Sequence, residues 1–334
     1  MVELRRVRIS GTGMCVPPRV VTNKDLERLM DTSDEWIRQR TGIVERHHVD
    51  PGVGPADLAA EAAARALEAS GSEATDLDAI LVASLSPHHD FPGTSVFLQD
   101  RLGIAGCPAL DVRAQCTGFL YALQVGRLFV ASGQYDRVLV VGTEVHSTGL
   151  DFSTRGREVS VIFGDGAGAV ILEPSEDSAR GVLSVHLHAE GKHAKRLWVE
   201  APGSVNQPRI DEKQIQEGRH YPSMDGRFVF KHAVRRMPEV LREALAHNGC
   251  ELEDVDLALF HQANLRINEH VAARLGLPEA RVYNNIERFG NCSAASIPML
   301  LDECVRAGRI GEGDLVAMCG FGSGFTWGAA LVRW

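Results

Sequence analysis

The sequence predicts an α/β fold built from two similar halves, and three observations support this prediction. Short apolar runs alternate with long helical patterns along the whole chain, as in layered α/β proteins. The apolar runs show little alternation with polar residues, which is typical of strands covered on both faces of a sheet. Residues 115–144 and 291–322 also read alike: a polar residue and a cysteine, a long helix, a glycine turn and a buried strand. This repeat predicts two halves related by a pseudo-two-fold axis, with a site where corresponding loops meet.

Each half contains strand and helix candidates in a similar order. Apolar runs predict strands at 7–13, 79–86, 137–143 and 168–173, and again at 181–189, 256–261, 314–320 and 328–334. Helical periodicity is found at 55–70, 118–132, 233–249 and 294–308. We therefore expect a largely parallel sheet in each half, with the halves spanning 1–176 and 177–334. The polar stretch 190–227 is predicted to be a long loop on the rim of a binding site.

Composition and charge exclude several classes of protein. Apolar residues make up 44% of the 334 residues and charged residues 24%, an ordinary globular composition. The net charge of −9 gives no general attraction to nucleic acid or anionic membranes. There is no apolar run long enough for a membrane span and no signal-peptide pattern at the amino terminus. The seven cysteines form no zinc-binding pattern. We expect a reduced, cytoplasmic protein without a bound metal.

Two glycine-rich segments resemble dinucleotide-binding loops but lack the required spacing. GTGMCV (11–16) has no third glycine, and GDGAGA (164–169) has the wrong interval. There is also no phosphate-binding P-loop and no G-x-S-x-G nucleophile motif. His88, His89 and Asp90 are more typical of a surface loop than of a metal cluster. The chemistry must therefore come from other residues.

Cys116 is the first candidate for a catalytic role. It follows an extended run and precedes a long helix that begins near Gly118. A thiol at the amino terminus of a helix is near the positive end of the helix dipole, which lowers its pKa. The alternative is a small buried core residue, the common role of an isolated cysteine.

His261 and Asn291 are the next candidates. His261 ends the predicted strand DLALF, and α/β folds place their sites at the carboxyl ends of strands. Asn291 precedes a long helix, and the internal repeat aligns Asn291 with Gln115 and Cys292 with Cys116. The pseudo-two-fold axis therefore brings two helix starts together. A structural histidine and a helix-capping asparagine are the alternatives.

One interpretation of a cysteine and a histidine is a papain-like protease. His261 follows Cys116 by 145 residues (261 minus 116), within the range of about 130–150 in that family. The flanking sequence lacks the C-G-[SA]-C-[WY] context, and a protease of that type has no internal repeat. The alternative is therefore disfavoured.

Six segments, in the same order along nearly the whole chain, carry a resemblance to a known family. They are DTSDEWIRQRTGI (31–43), DVRAQCTGFLYAL (111–123), FGDGAGA (163–169), HQANLRI (261–267), GNCSAAS (290–296) and GFGSGFTWGAALVRW (320–334). Together they resemble β-ketoacyl-acyl-carrier-protein synthase III, of the thiolase superfamily. The resemblance implies a thiolase-like, five-layered α-β-α-β-α fold and a homodimer. It also implies an acyltransferase of fatty acid biosynthesis that joins an acyl-coenzyme A primer to malonyl-carrier protein, with no cofactor.

The resemblance also implies roles for the residues of the site. Cys116 would be the acylated nucleophile. His261 and Asn291 would hydrogen-bond the malonyl thioester and stabilise the enolate left by decarboxylation, since both side chains can donate hydrogen bonds without readily protonating a carbanion. The backbone N–H groups of Cys116 and Ser323 would form the oxyanion hole.

Substrate-binding residues follow from the same resemblance. Trp36 and Arg155 would stack on the adenine of coenzyme A, within a set of binding positions comprising Thr32, Trp36, Arg40, Arg155, Phe230 and Asn264. Phe91 would reach across a dimer to cap the partner's acyl pocket. The carrier protein is acidic, so docking on this acidic chain requires a local basic patch, for which the candidates are Lys231, Arg235 and Arg266.

Some residues depart from the family pattern and leave the primer undefined. Arg113 and Gln115 stand where many relatives have small neutral residues, and Cys292 replaces a common threonine. A specialised condensing enzyme, for a polyketide or for head-to-head joining of acyl chains, is therefore the alternative. A non-catalytic partner subunit is disfavoured, because such subunits typically lose the nucleophile.

Overall fold

The computed structural model describes residues 4–177 and 179–334, and its strands and helices alternate along the chain. The strands are β1 (Val7–Cys15), β2 (Arg19–Thr22), β3 (Glu45–His48), β4 (Ala79–Ala83), β5 (Ala109–Val112), β6 (Val138–Glu144), β7 (Gly166–Pro174), β8 (Gly181–Ala189), β9 (Leu197–Trp198), β10 (Ser223–Met224), β11 (Leu257–Phe260), β12 (Val282–Tyr283), β13 (Leu315–Gly322) and β14 (Thr326–Arg333). The helices are α1 (Asn23–Glu27), α2 (Asp34–Thr41), α3 (Pro55–Ser70), α4 (Thr94–Arg101), α5 (Gly118–Ala131), α6 (Arg157–Ser160), α7 (Glu212–Gln216), α8 (Gly226–His247), α9 (Leu265–Leu275), α10 (Ile286–Phe289) and α11 (Ser296–Arg306).

Two five-stranded sheets have the same topology. Their strand orders are β1-β7-β6-β4-β5 and β8-β14-β13-β11-β12, which correspond strand for strand. The predicted repeat of two halves is therefore confirmed. The predicted boundary at 176/177 lies in the connection between β7 and β8 and stays a prediction.

The expected largely parallel core is present in part, because each sheet is mixed: four of its five strands point the same way and one, β7 or β14, points the opposite way. In the first sheet β4 runs parallel to β5 and β6, whereas β7 runs antiparallel to β1 and β6. The second sheet repeats this pattern, with β14 antiparallel to β8 and β13. The central strands β4, β6, β7, β11, β13 and β14 are nevertheless buried on both faces, which explains why their sequences lack alternation.

Helices and sheets alternate in five layers. The apolar faces of α5 and α11 meet strands of both sheets in one central core, which includes Phe119, Leu123 and Leu300. A second core joins α3 to the outer face of the first sheet, and a third joins α8 and α9 to the outer face of the second. The fold is thus the expected thiolase-like α-β-α-β-α arrangement.

Local signals account for the boundaries of α3 and the start of α8. Helix α3 covers the predicted 55–70, because Pro55 occupies its first position and Gly71, with a φ of +68°, ends it. Helix α8 begins earlier than the predicted residue 233, since the Asp225 side chain accepts a hydrogen bond from the N–H of Phe228 and caps the helix there.

The stretch 190–227 is more ordered than the predicted long loop. It contains helix α7 and the antiparallel pair of β9 and β10. In the described part of the chain, no helix combines the length and the apolar character that crossing a bilayer demands.

Candidate active site

Cys116 lies at the interface between the two halves. It belongs to a short 3-10 turn, Gln115–Thr117, that directly precedes α5, and its side chain is buried. Gly322, at the end of β13, packs against it so closely that an added Cβ would lie 2.7 Å from the Cβ of Cys116. A glycine is therefore needed at position 322, and the end of one sheet is held against the helix start of the other half.

Burial sets the ionisation of the Cys116 thiol. The loss of solvent raises its pKa to about 11, although the Ser293 hydroxyl, at 3.8 Å from Sγ, and the backbone N–H groups of Ser323 and Cys116 act in the opposite direction. The expectation of a lowered pKa is wrong, because desolvation outweighs these donors. The same two N–H groups are those assigned to the oxyanion hole from the resemblance.

His261 directly follows β11 and is a buried, neutral imidazole. Burial lowers its pKa to about 3, with a smaller contribution from His146. Its Nδ1 lies 2.6 Å from the Ser296 hydroxyl, which itself accepts a hydrogen bond from the N–H of Gln262 at 3.3 Å. The Ser296 hydroxyl can then donate to Nδ1, which assigns the ring proton to Nε2. Among the described residues, Nε2 has no hydrogen-bond partner.

Asn291 is held so that its amide can act as a donor. Its Oδ1 accepts a hydrogen bond of 2.8 Å from the N–H of Ser293. The backbone N–H of Asn291 donates to the carbonyl of Ile162 at 2.9 Å, and its backbone carbonyl accepts from the N–H of Gly164 at 3.1 Å. These two bonds lie on either side of Phe163. Because Oδ1 is engaged, the Nδ2 group remains available for donation.

Two cavities meet at Cys116. The larger cavity has a volume of about 1040 Å³ and is also lined by His261 and Asn291. The smaller cavity has a volume of about 760 Å³ and lies beside Gln115, Ser293 and Ser323. Both volumes are in the range of small-molecule sites. The three residues predicted to be catalytic therefore line one cavity, and a second cavity opens on the same sulfur.

The larger cavity contains four of the six positions expected to bind coenzyme A. Trp36, Arg40, Phe230 and Asn264 line it, whereas Thr32 and Arg155 do not. Asn264 caps α9 by accepting from the N–H of Arg266 at 3.0 Å, and its Nδ2 donates to the carbonyl of Arg40 at 2.9 Å. These bonds hold the end of α2 against the start of α9.

Two arginines other than Arg155 lie beside Trp36 in the structure. The Arg157 guanidinium lies 4.4 Å from the centre of the Trp36 ring, and that of Arg40 lies at 4.7 Å. Arg155 instead donates from Nε to Asp151 at 2.6 Å. The adenine-stacking role expected for Trp36 and Arg155 stays a prediction, because these contacts are those of the site without coenzyme A.

The basic residues expected to dock a carrier protein lie on two helices. Arg266 is exposed and lines the larger cavity at the start of α9. Lys231 and Arg235 are exposed on α8, where Arg235 forms an ion pair of 2.9 Å with Glu239. Phe91 lies on the loop between β4 and α4 and is 84% exposed.

A buried carboxylate that was not among the predicted site residues lies beside the site. Glu144, at the end of β6, accepts hydrogen bonds from the N–H groups of Leu85, Ser86 and Ala294 at 3.1–3.3 Å and from the Ser86 hydroxyl at 2.5 Å. Burial raises its pKa to about 7. It joins the loop after β4 to the turn before α11, and no motif marked it because its segment resembles an ordinary strand end.

We expect the alkylation rate of Cys116 by iodoacetamide to rise about tenfold per pH unit between pH 7 and pH 10. The thiolate is the reactive form, and its fraction rises tenfold per unit while the pH stays below the pKa of about 11. Peptide mass spectrometry would follow Cys116 separately from the half-buried Cys107 and Cys250, with Cys116→Ser as the control. A rate that levels off below pH 8 would contradict this result.

Topology and layering assign the protein to the class of thiolase-like enzymes. Sequence profiles described as 3-oxoacyl-[acyl-carrier-protein] synthase III match residues 110–191, and those of its C-terminal part match residues 245–334. The β-ketoacyl-[acyl-carrier-protein] synthase III of Xanthomonas campestris pv. campestris is 46% identical over 330 residues, 98% of each chain. The chain therefore belongs to the β-ketoacyl-[acyl-carrier-protein] synthase III family of acyltransferases.

Solved structures agree with this assignment. The 3-oxoacyl-[acyl-carrier-protein] synthase III of Aquifex aeolicus VF5 is 40% identical, with a TM-score of 0.89 over 98% of this chain and 100% of that one. The priming β-ketosynthase of the R1128 polyketide pathway is 34% identical, with a TM-score of 0.92 over 100% and 97% of the two chains.

Proposed function

We propose that the protein condenses an acyl-coenzyme A primer with malonyl-carrier protein through an acyl-Cys116 intermediate. The observation that carries the proposal is the meeting of two cavities at the Cys116 sulfur, one of them lined by His261 and Asn291. One cavity can admit the thioester arm of a substrate while the other holds the acyl chain. Curated relatives at 42–47% identity favour this hypothesis over a specialised polyketide or head-to-head enzyme.

In the first half-reaction, the acyl group moves from the sulfur of coenzyme A to the sulfur of Cys116. The sulfur attacks the thioester carbonyl, the carbon–sulfur bond to coenzyme A breaks, and the proton lost by Cys116 ends on the departing thiol. The N–H groups of Cys116 and Ser323 stabilise the oxyanion that forms on the way. Because the resting thiol is protonated, acylation requires its deprotonation at the moment of attack.

In the second half-reaction, malonyl-carrier protein loses CO₂ and becomes a nucleophile. The electrons of the broken carbon–carbon bond move into the thioester carbonyl and give an enolate. Nε2–H of His261 and Nδ2–H of Asn291 donate to this oxygen. The enolate carbon then attacks acyl-Cys116, the acyl–sulfur bond breaks, and the Cys116 thiolate takes up one proton from solvent.

Incubation of the protein with acyl-coenzyme A and malonyl-carrier protein tests the proposal. We expect an adduct of the acyl mass on the Cys116 peptide, followed by release of one CO₂ per β-ketoacyl-carrier protein formed. Omitting the primer should leave Cys116 unmodified. Condensation that proceeds without an acyl-enzyme would refute the mechanism.

Arg266→Glu is expected to raise the KM for malonyl-carrier protein about tenfold while acylation of Cys116 by acyl-coenzyme A changes little. Arg266 is exposed at the rim of the larger cavity, where it can meet an acidic carrier. The effect should shrink at high salt, because exposed charges are screened within about 8 Å at physiological ionic strength. Steady-state kinetics with both substrates measures it.

Arg180→Glu is the matched control, since Arg180 forms an exposed ion pair with Glu312 away from both cavities. An equal loss with both substrates would mean that Arg266 supports the site's structure and does not dock the carrier.

We expect the protein to sediment as a homodimer, with the segment 79–112 at the two-fold interface. Strand β5 ends its sheet, and Phe91, Val96 and Leu110 on this segment are 84%, 38% and 46% exposed. Leu110→Asp should weaken the dimer, whereas Val205→Asp, at a 91% exposed position outside the segment, should not. A stable, fully active monomer would show that Phe91 does not cap the acyl pocket of a partner.

A further inference from the structure

We propose that the smaller cavity holds the acyl part of the primer and that this acyl group ends in a carboxylate, so that the preferred primer is an ω-carboxyacyl thioester. The inference rests on the proposed function, because it concerns the group transferred to Cys116. It is carried by the chemistry of the cavity wall.

The smaller cavity is unusually basic for the binding site of an alkyl chain. Arg113, His88, His146 and His220 line it, and none of the described residues on its wall is an aspartate or glutamate. The larger cavity, by contrast, includes carboxylates of both kinds. The wall of the smaller cavity therefore carries one guanidinium and several hydrogen-bonding imidazoles, and no carboxylate among its described lining residues.

Several of these groups lack protein partners. Arg113 forms no ion pair with a described residue, and its only side-chain hydrogen bond is a long one, 3.5 Å, to the carbonyl of Leu85. Nε2 of His146, Nδ1 of His88 and Nδ1 of His220 are buried without a hydrogen-bond partner in the described structure. Buried polar groups are normally paired, and three imidazoles with an unpaired nitrogen belong to the wall of this cavity, beside the exposed Arg113.

The groups differ in what they contribute. Burial lowers the pKa of His146 to about 4, so that its imidazole is neutral at physiological pH and can donate a hydrogen bond without adding charge. Asp165, whose charge acts on His146, already accepts from the backbone N–H groups of His146 and Ser147. Arg113 is then the permanent cation of the wall, and one guanidinium matches one carboxylate.

The rest of the wall suits methylene groups. Apolar side chains line the same cavity beside its polar groups, namely Leu85, Leu150, Phe163 and Trp198. Cys116 belongs to the same lining. A chain with a carboxylate end can bury its methylenes against these side chains and still pair with Arg113. An alkyl chain would gain the apolar contact but would make no ion pair with the exposed Arg113 guanidinium.

The test compares acyl transfer to Cys116 from matched thioesters by intact-protein mass spectrometry. The series comprises succinyl-, glutaryl-, adipyl- and pimeloyl-coenzyme A, the alkyl thioesters of equal chain length, and 6-hydroxyhexanoyl-coenzyme A. We expect the best ω-carboxyacyl primer to exceed both its alkyl counterpart and the hydroxyacyl primer at least tenfold in kcat/KM.

Variants assign the preference to Arg113. Arg113→Gln should reduce the ratio of carboxyacyl to alkyl transfer at least tenfold, Arg113→Lys should retain part of it, and Arg180→Gln should leave it unchanged. A preference for alkyl or hydroxyacyl primers, or a ratio unaffected by Arg113→Gln, would overturn the inference alone. Failure of every thioester to acylate Cys116 would overturn the proposed function instead.

Discussion

We expect Cys116→Ser to abolish the acyl-enzyme and to lower the rate of condensation by at least about a thousandfold. Serine preserves the tight packing against Gly322 but is a far weaker nucleophile than cysteine at neutral pH. Mass spectrometry of the protein after incubation with acyl-coenzyme A measures the loss directly, because the adduct on residue 116 disappears.

Cys292→Ser provides a matched control for this substitution. Cys292 occupies the position in the second half that the repeat aligns with Cys116, and it too is buried before a long helix. It is absent from the described lining of both cavities, and its sulfur contacts the carbonyl of Phe289 at 3.4 Å. The variant should therefore acylate normally. An adduct on Cys292 would reverse the assignment of the nucleophile.

The layered fold was predictable because its signals are local. Apolar runs marked nearly every central strand, and the repeat between 115–144 and 291–322 predicted two equivalent halves. Strand direction was not predictable in the same way. β7 pairs with β1 and β14 pairs with β8, strands that are distant in sequence. The apolar character of a segment does not indicate which strand it will pair with.

The residues of the candidate site also fall into two groups, those that the sequence identified and those that it did not. Cys116, His261 and Asn291 were identifiable because each stands at the end of a strand or the start of a helix, where chain geometry brings side chains together. Glu144 and Ser296 were missed because their importance lies in hydrogen bonds between segments far apart in sequence.

The ionisation of the nucleophile was also beyond the sequence. A helix start suggested a lowered pKa for Cys116, but the degree of burial decides the net direction, and burial depends on how the two halves pack. The same packing explains the neutral state of His261, whose pKa is lowered for the same reason.

The second large effect concerns decarboxylation. We expect Asn291→Ala to lower the decarboxylation of malonyl-carrier protein by about 10²–10³-fold, the usual loss when one donor to a developing oxyanion is removed. Acylation of Cys116 by acyl-coenzyme A should continue, since it uses the N–H groups of Cys116 and Ser323. Release of labelled CO₂ and formation of acyl-enzyme measure the two half-reactions separately.

Asn291→Asp separates donation from structure. Aspartate can still accept the hydrogen bond from the N–H of Ser293 that fixes this turn, but it offers no N–H to the enolate oxygen. We therefore expect Asn291→Asp to lose decarboxylation as severely as Asn291→Ala, whereas Cys116→Ala, which removes only the nucleophile, should retain it. If Asn291→Asp decarboxylated normally, the asparagine would serve the turn and not the chemistry. If Asn291→Ala decarboxylated normally but could not be acylated, the division of roles between the two half-reactions would be reversed.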